Sequence, residues 1–468
     1  MTMDVIENRT YDELQVGDKA SLVHTLSASD VKRFAALSGD ATPAQVDEDY
    51  ARSGAFHQVV AHGMWVSALI SAVVGTKLPG PGTVWLDQSL KFRRPAGVGD
   101  TLTVTVRVLD KESEGQRVRL ACRCVNQDRE MVAEGEVVVE APRDKVRRQK
   151  AEQAQVGMLD KGARLRALIE GTRPRQPMPT AVVHPVDAAS LSGALEGAQH
   201  GLIEPVLVGP EAKIRAAARD GDLDIDAFRL VATEHSHEAA ERAVALVRAG
   251  EAQALMKGAL HTDELMHPVV AKDGGLRTAR QMSHVFVIDE PTYPRLMLIT
   301  DAALNIYPDL DAKRDIVQNA IDLARALGVD KPKVALLSAV ETVTPKLQST
   351  VEAAALCKMA DRGQITDALL DGPLAFDNAV SRLAAEAKHI RSRVAGQADV
   401  MVVPDLESGN MLAKQLEYLA EAQIAGVVLG ARVPIMLTSR ADNALARLAS
   451  CAVATRFLQW QLEQGQRP

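Results

Sequence analysis

Aromatic side chains supply only 3% of this 468-residue chain, cysteines number four, and no apolar run reaches membrane-spanning length without charges or breakers. The aromatic shortage leaves Ala, Val and Leu to fill the cores, which suits extended α/β packing better than a ligand cage or a nucleic-acid surface. The opening stretch MTMDVIENRTYDEL lacks the apolar core of a signal peptide, so a cytoplasmic location is expected. Neither a GxGxxG fingerprint nor a Walker glycine loop is present, which weighs against a nucleotide-dependent dehydrogenase or an ATPase. Positive charge is also in short supply. A formal charge of -7 and a pI near 5.9 argue against a dedicated polyanion binder, and neither nucleic acid nor membrane is expected as a partner. His235, His237, His261 and His267 are scattered around Asp263 and Glu264 without tetrahedral ligand spacing, so no metal is expected. Cys122 and Cys124, two apart on a predicted strand, share one face and are not disulfide partners across it. With Cys357 and Cys451 they are expected to be reduced core thiols.

What is present is a soluble globular composition, 47% hydrophobic and 25% charged, at a length that calls for two or three domains. SASDVKRFAALSGD reads as a short helix capped by Ser29 or Asp30 and stopped by Ser38-Gly39-Asp40. A second helix, about 63–74, is apolar nearly all round, and such a helix needs a sheet about it. Alternating runs follow at 83–92, 101–108, 116–125 and 130–139, joined by short polar turns, and predict an antiparallel sheet. A buried helix wrapped by a curved antiparallel sheet is an α+β hot-dog arrangement. The charged, proline-marked stretch from Ala141 to Lys150 breaks the alternation, so 141–153 is expected to link a domain at 1–140 to one at 154–468.

The stretch SGDATPAQVDEDYARSGAFHQVVAHGM, with Arg93-Arg94-Pro95 and Val98-Gly99-Asp100 beyond it, resembles the MaoC-like, or (R)-specific enoyl-CoA hydratase, family over about 10–140. By that resemblance Asp40 is the catalytic aspartate, which in active members holds a water together with a histidine five residues later. Here that position is Gln45, and Thr42 replaces the family's asparagine. An amide has no proton to give and no basic nitrogen near neutrality. Hydratase activity is therefore expected to be lost or altered, the fold being kept for dimer formation or for holding an acyl-CoA. His57 and His62 are close in sequence, and His62, in the turn that begins the central helix, is expected to hold local structure.

From 154 onward short apolar runs alternate with helical stretches, the pattern of a parallel sheet with right-handed crossovers. About 310 residues of it predict an α/β domain of two parallel-sheet subdomains with a cleft, about 154–290 plus 431–468 and about 291–430. The runs 284–288 and 296–300 read instead as a hairpin. Polar groups recur at strand ends: Lys257-Gly258; Asp371-Gly372-Pro373-Leu374; Asp405 with Ser408, Gly409 and Asn410; and Thr438-Ser439-Arg440 in RVPIMLTSRAD. Each alone is explained by turns, caps or a solvated cation. Their repetition at strand-to-helix junctions points to an anion, because phosphate needs amide donors from helix starts and one or two fixed cations.

These junctions lie in MKGALHTDELMHPV, GLRTARQMSHVFVID, LLSAVETVTPKLQST, LDGPLAFDNAVS, VVPDLESGNMLAKQLEY and PIMLTSRADN, which together resemble the phosphate acetyltransferase and phosphate butyryltransferase family over about 156–465. MKG and SRAD lean to the butyryl-like branch. The resemblance implies exchange of the CoA of a short-chain acyl-CoA for inorganic phosphate, with CoA as substrate and product and no tightly bound cofactor. It implies Ser439, Arg440 and Asp442 as catalytic residues, Arg440 also holding phosphate, and Lys257, Arg280, Asp371, Asp405, Gly409, Asn410 and Thr438 as substrate- or phosphate-binding positions. The acetyl branch has an acidic residue seven positions after its loop serine. Here that position is Ala446, so Asp442 is the nearer candidate and the base is left open. A homodimer or higher even-numbered assembly is expected. The alternatives are a truly bifunctional hydratase and acyltransferase, or a non-catalytic CoA-binding assembly protein.

Overall fold

Alternation in the first part of the chain becomes a five-stranded antiparallel sheet. The computed structural model describes residues 5–40, 42–43, 50–51, 59–149, 160–437 and 442–465. The chain divides into two compact units, Met1–Met158 and Leu159–Pro468.

In the first unit the strands are β1 (Val5–Glu7), β2 (Lys19–Thr25), β3 (Val84–Phe92), β4 (Thr101–Glu112), β5 (Arg117–Val125), β6 (Met131–Glu140) and β7 (Arg147–Gln149). The main sheet runs β2-β4-β5-β6-β3. β2 is missing from the strands expected above. Its residues are half-buried or exposed, so KASLVHT carries no apolar stripe to announce it. The charged stretch after Val139 supplies β7, which pairs antiparallel with β1. The helix Ala28–Ser38 is capped by Ser27, earlier than the sequence suggested. Ser27 Oγ accepts the Asp30 N–H at 3.1 Å and the Asp30 carboxylate takes the Ser27 N–H at 3.0 Å, a reciprocal capping box. The helix Gly63–Thr76 buries Trp65, Val66, Ile70, Val73 and Val74 against the inward residues of β4, β5 and β6. Gly135 is where β6 presses on β3: a Cβ there would lie 1.9 Å from the Ser89 carbonyl oxygen, so only glycine allows the sheet to curl about the helix.

The second unit is built on one eleven-stranded sheet. Its strands are β8 (Met178–Val183), β9 (Ile203–Gly209), β10 (Arg229–Ala232), β11 (Ala254–Lys257), β12 (Ser283–Asp289), β13 (Met297–Thr300), β14 (Lys333–Leu337), β15 (Leu369–Leu374), β16 (Val400–Val402), β17 (Gln423–Leu429) and β18 (Ile435–Met436). β10-β9-β8-β11-β18 form one parallel block and β13-β16-β14-β15 another. Between them β17 and β12 pair antiparallel with each other and with their outer neighbours, so the two blocks run in opposite directions. The two parallel subdomains are thus halves of a single mixed sheet, and the expected β12–β13 hairpin is part of the joint. Helices cover both faces, and apolar clusters fill the space beneath them. The helix Ala444–Glu463 is buried along most of its length, which is why its sequence is apolar on every side. After Ala375 the chain forms two short helices, Phe376–Val380 and Arg382–Ala387. Ser381 ends the first and caps the second, its Oγ accepting the Ala384 N–H.

Candidate functional site

A cavity of about 480 Å³ opens in the second unit where the two blocks meet. β12 contributes His284 and Phe286 to its lining, and β17 contributes Ile424, Ala425 and Gly426. Lys257 and Leu260 enter from the C-terminal end of β11, and Leu437 and Asp442 from beyond β18. The helix Leu406–Leu419 forms another wall, with Asn410, Ala413, Lys414 and Glu417 facing the space.

Lys257 is the last residue of β11 and is 7% exposed, with Nζ donating to the Leu260 carbonyl at 3.1 Å. The following Gly258 lets the chain turn against β8: a Cβ there would lie 2.5 Å from the Val183 carbonyl oxygen. A cation is therefore held at a fixed, buried place, where its field is poorly screened. The helical wall is anchored at its N-terminal end. Asp405 caps it by accepting the Ser408 N–H at 2.8 Å. Gly409 allows close approach, since a Cβ would meet Val403 Cγ2 at 2.6 Å and Ala302 Cβ at 3.0 Å. Asn410 then donates to the Ala302 carbonyl at 3.2 Å. The loop it grips is organised by buried Asp301, whose carboxylate accepts the N–H groups of Ala303, Leu304 and Asn305 at 3.0, 3.1 and 3.2 Å. Burial pushes the Asp301 carboxyl above its usual range, and these bonds oppose the shift.

Two carboxylates face the cavity. Burial, reinforced by the negative charge of Asp442, raises the Glu417 carboxyl above its ordinary value, while Lys414 works in the other direction. His284 is 1% exposed, and burial lowers its ring to about 3, so it is uncharged at neutral pH. All four thiols are pushed up by burial, Cys122, Cys357 and Cys451 to about 12 and Cys124 to about 11, which removes them as nucleophiles near neutrality. Among the described residues no group of three or more His, Cys, Asp or Glu is placed to hold a metal ion, and no helix is long and apolar enough to cross a membrane.

Of the residues singled out in the sequence, Lys257, Asn410 and Asp442 come together at the cavity, and Asp405 and Gly409 stand at the foot of its helical wall. Arg280 lines a separate, more open hollow beside Arg277 and Tyr307 and is paired with Asp322. Asp371 lies on β15, the last strand of the sheet, where its carboxylate accepts the Gly372 N–H at 2.8 Å. Thr438, Ser439 and Arg440 lie outside the described residues, as do Gln45 and His57. In the first unit Asp40 contacts His62, Oδ2 to Nε2 at 2.6 Å, while His62 Nδ1 accepts the Met64 N–H at the start of the central helix. That bond leaves the ring proton on Nε2, facing the carboxylate. Sequence reasoning missed His284, Glu417, Asp301 and the reach of His62 to Asp40. For His284 and Asp301 the available signal was a polar residue inside an apolar strand or at the end of one; Glu417 and His62 belong to helices and had no such signal.

A cavity with a buried cation, paired carboxylates and apolar walls, at the joint of an α/β sheet, marks the second unit as belonging to the class of α/β enzymes that bind small anionic substrates in a cleft. The model for "Phosphate acetyl/butaryl transferase" matches residues 231–455, and that for "MaoC like domain" matches 15–126. A phosphate acetyltransferase of Rhizobium meliloti is 61% identical over 290 residues, spanning 62% of this chain and 92% of its own. A phosphate butyryltransferase of Clostridium acetobutylicum is 40% identical over 268 residues, 57% of this chain and 89% of its own. Among solved structures, a branched-chain phosphotransacylase from Enterococcus faecalis V583 is similar with a TM-score of 0.53 at 29% identity, covering 60% of this chain and 98% of that one. The chain belongs to the phosphate acetyl/butyryl transferase family and carries a MaoC-like domain ahead of the transferase part.

Proposed function

We propose that the second unit transfers a short acyl group between coenzyme A and inorganic phosphate. The observation that carries this reading is the cavity at the sheet joint, with its buried ammonium, two carboxylates and apolar walls, in a chain of this family. A phosphate oxygen attacks the thioester carbonyl carbon, the π electrons move onto the acyl oxygen, and re-formation of the carbonyl expels CoA thiolate. Lys257 offsets anionic charge, Arg440 orients phosphate with its fork of donors, and Ser439 contributes a hydrogen bond to the oxyanion. Asp442, with Glu417 beside it, exchanges the proton of the CoA thiol. Coenzyme A is a substrate, with no tightly held cofactor, and the assembly is a dimer or a higher even-numbered oligomer. The relatives carry both acetyl and butyryl names, so full-length protein is tested on acyl-CoAs of increasing length with thiol release as the readout. Release only when phosphate is supplied is expected, and a folded protein releasing none would end this reading. Arg440→Ala lowers turnover and raises the phosphate requirement; an unaltered phosphate dependence removes Arg440 from its role.

A second reading concerns the first unit and rests on the Asp40–His62 contact, which gives an acid–base pair although Gln45 has none to offer. It supports addition of water across the double bond of an enoyl-CoA. Hydration of crotonyl-CoA by full-length protein, abolished in Asp40→Asn, is the expected result, and absence of hydration in the wild type rejects it.

A further inference from the structure

We propose that His284 donates the hydrogen bond that holds the acyl oxygen of the thioester, an inference that rests on the acyltransferase reading above. His284 stands in the middle of the sheet, on β12, bordering the cavity. Its Nδ1 is buried and has no hydrogen-bond partner among the described residues. Its ring meets that of Phe286 edge-on, centroids 4.3 Å apart at 72°. Diagonally across on β17, two residues from its register partner Val428, lies Gly426, where a Cβ would come within 2.8 Å of Nε2, so the glycine leaves the space in which the imidazole lies. The Gly426 N–H is already taken by Ser450 Oγ at 3.0 Å and does not compete for the ring.

An unpaired polar group in the interior costs stability. The cost is least when the unpaired nitrogen is an acceptor rather than an N–H donor. Orphaned N–H groups are rarer in proteins than undersatisfied acceptors, so Nδ1 is the bare nitrogen and Nε2, against the cavity-lining Gly426, carries the proton. Burial keeps the ring uncharged at neutral pH, so it donates a hydrogen bond without bringing charge. The charged groups of the cavity are Lys257, Lys414, Glu417 and Asp442, with His261 also on its lining. Phosphate goes to the cations. The uncharged donor, next to Phe286, Ile424 and Ala425, serves the part of the substrate that is apolar except for one carbonyl. As the carbonyl carbon becomes tetrahedral its oxygen gains negative charge and the bond from Nε2 strengthens. No proton leaves His284, and the electrons return to the C–O bond as the C–S bond breaks.

The test measures CoA release from butyryl-CoA and phosphate by full-length protein. His284→Leu removes the donor and lowers kcat about 100- to 1,000-fold, the range seen when one oxyanion donor is deleted. The KM for phosphate stays within about threefold, because the donor acts mainly in the transition state. His284→Gln keeps an N–H and recovers about tenfold or more over the leucine variant, within the spread expected for one hydrogen bond. Gly426→Ala drives the ring from its place and reproduces the loss, and it carries the test if His284→Leu does not fold. The infrared stretch of an isotope-labelled acyl carbonyl in bound butyryl-CoA lies lower in the wild type than in whichever variant folds. Equal frequencies, an unchanged kcat, or a phosphate KM that rises in step with the fall in kcat would overturn the proposal. Wild-type protein that releases no CoA on addition of phosphate overturns the acyltransferase reading instead.

Discussion

Glu417 and His284 are displaced by burial in opposite chemical senses, and each has a pH signature. Glu417 holds its proton to higher pH than an ordinary glutamate, because burial and the neighbouring Asp442 both penalise its charge. On the proposal that the thiol proton is exchanged at this carboxylate pair, acylation of CoA is expected to gain rate as pH rises through the pair's apparent pKa. Glu417→Gln removes one of the two charges and moves the acid limb of kcat to lower pH; a pH–rate profile with an unmoved limb would contradict the assignment. For His284 the folded value of about 3 lies below the ordinary 6.5, so between those limits the unfolded chain binds the extra proton. The stability contributed by the neutral ring is fully present above about 6.5 and is lost as pH falls toward 3. Chemical denaturation at stepped pH is expected to show a shallower loss over that window in His284→Gln than in the wild type, and identical slopes would refute the assignment.

At the scale of elements, the cavity depends on how closely the helix Leu406–Leu419 approaches the loop after β13. Gly409→Ala puts a methyl 2.6 Å from Val403 Cγ2, and small-to-large changes in packed interiors cost about 1–3 kcal/mol. The expected outcome is a lower melting temperature together with a weakened KM, because Asn410 and Glu417 move with the helix; a variant with wild-type values of both would show that the approach is not tight. This level was also the most legible in the sequence. Buried parallel strands read as unbroken apolar runs, and the turn at Asp289-Glu290-Pro291 is too short for a crossover, so block and hairpin could both be anticipated. β2 could not, because it has no strongly buried face. Nor could the pairing of β12 with β17, since no local pattern encodes a partner so distant along the chain. The site divided the same way. Lys257 and Asn410 could be singled out because they stand at strand ends, where loops converge. His284 and Glu417 lie inside a strand and a helix, where a lone polar residue is ordinarily packing or surface.

In the whole molecule, each unit has a hydrophobic core of its own, the first about the helix Gly63–Thr76 and the second on both faces of the long sheet. Calorimetry is therefore expected to resolve two unfolding transitions, and CoA is expected to shift the one that belongs to the second unit. A single cooperative transition would mean that neither unit stands alone.

The cavity floor belongs to β12 and β17, the middle strands of eleven, flanked on each side by paired neighbours. Their amides are the ones whose hydrogen exchange should wait for global opening, whereas the capped helical wall can breathe in local fluctuations. Adaptation to acyl groups of different bulk must then come from the wall, around Ala413, while the floor behaves as an anvil. Selection for a longer or shorter acyl chain would accordingly leave its marks on that helix and spare the strands beneath it.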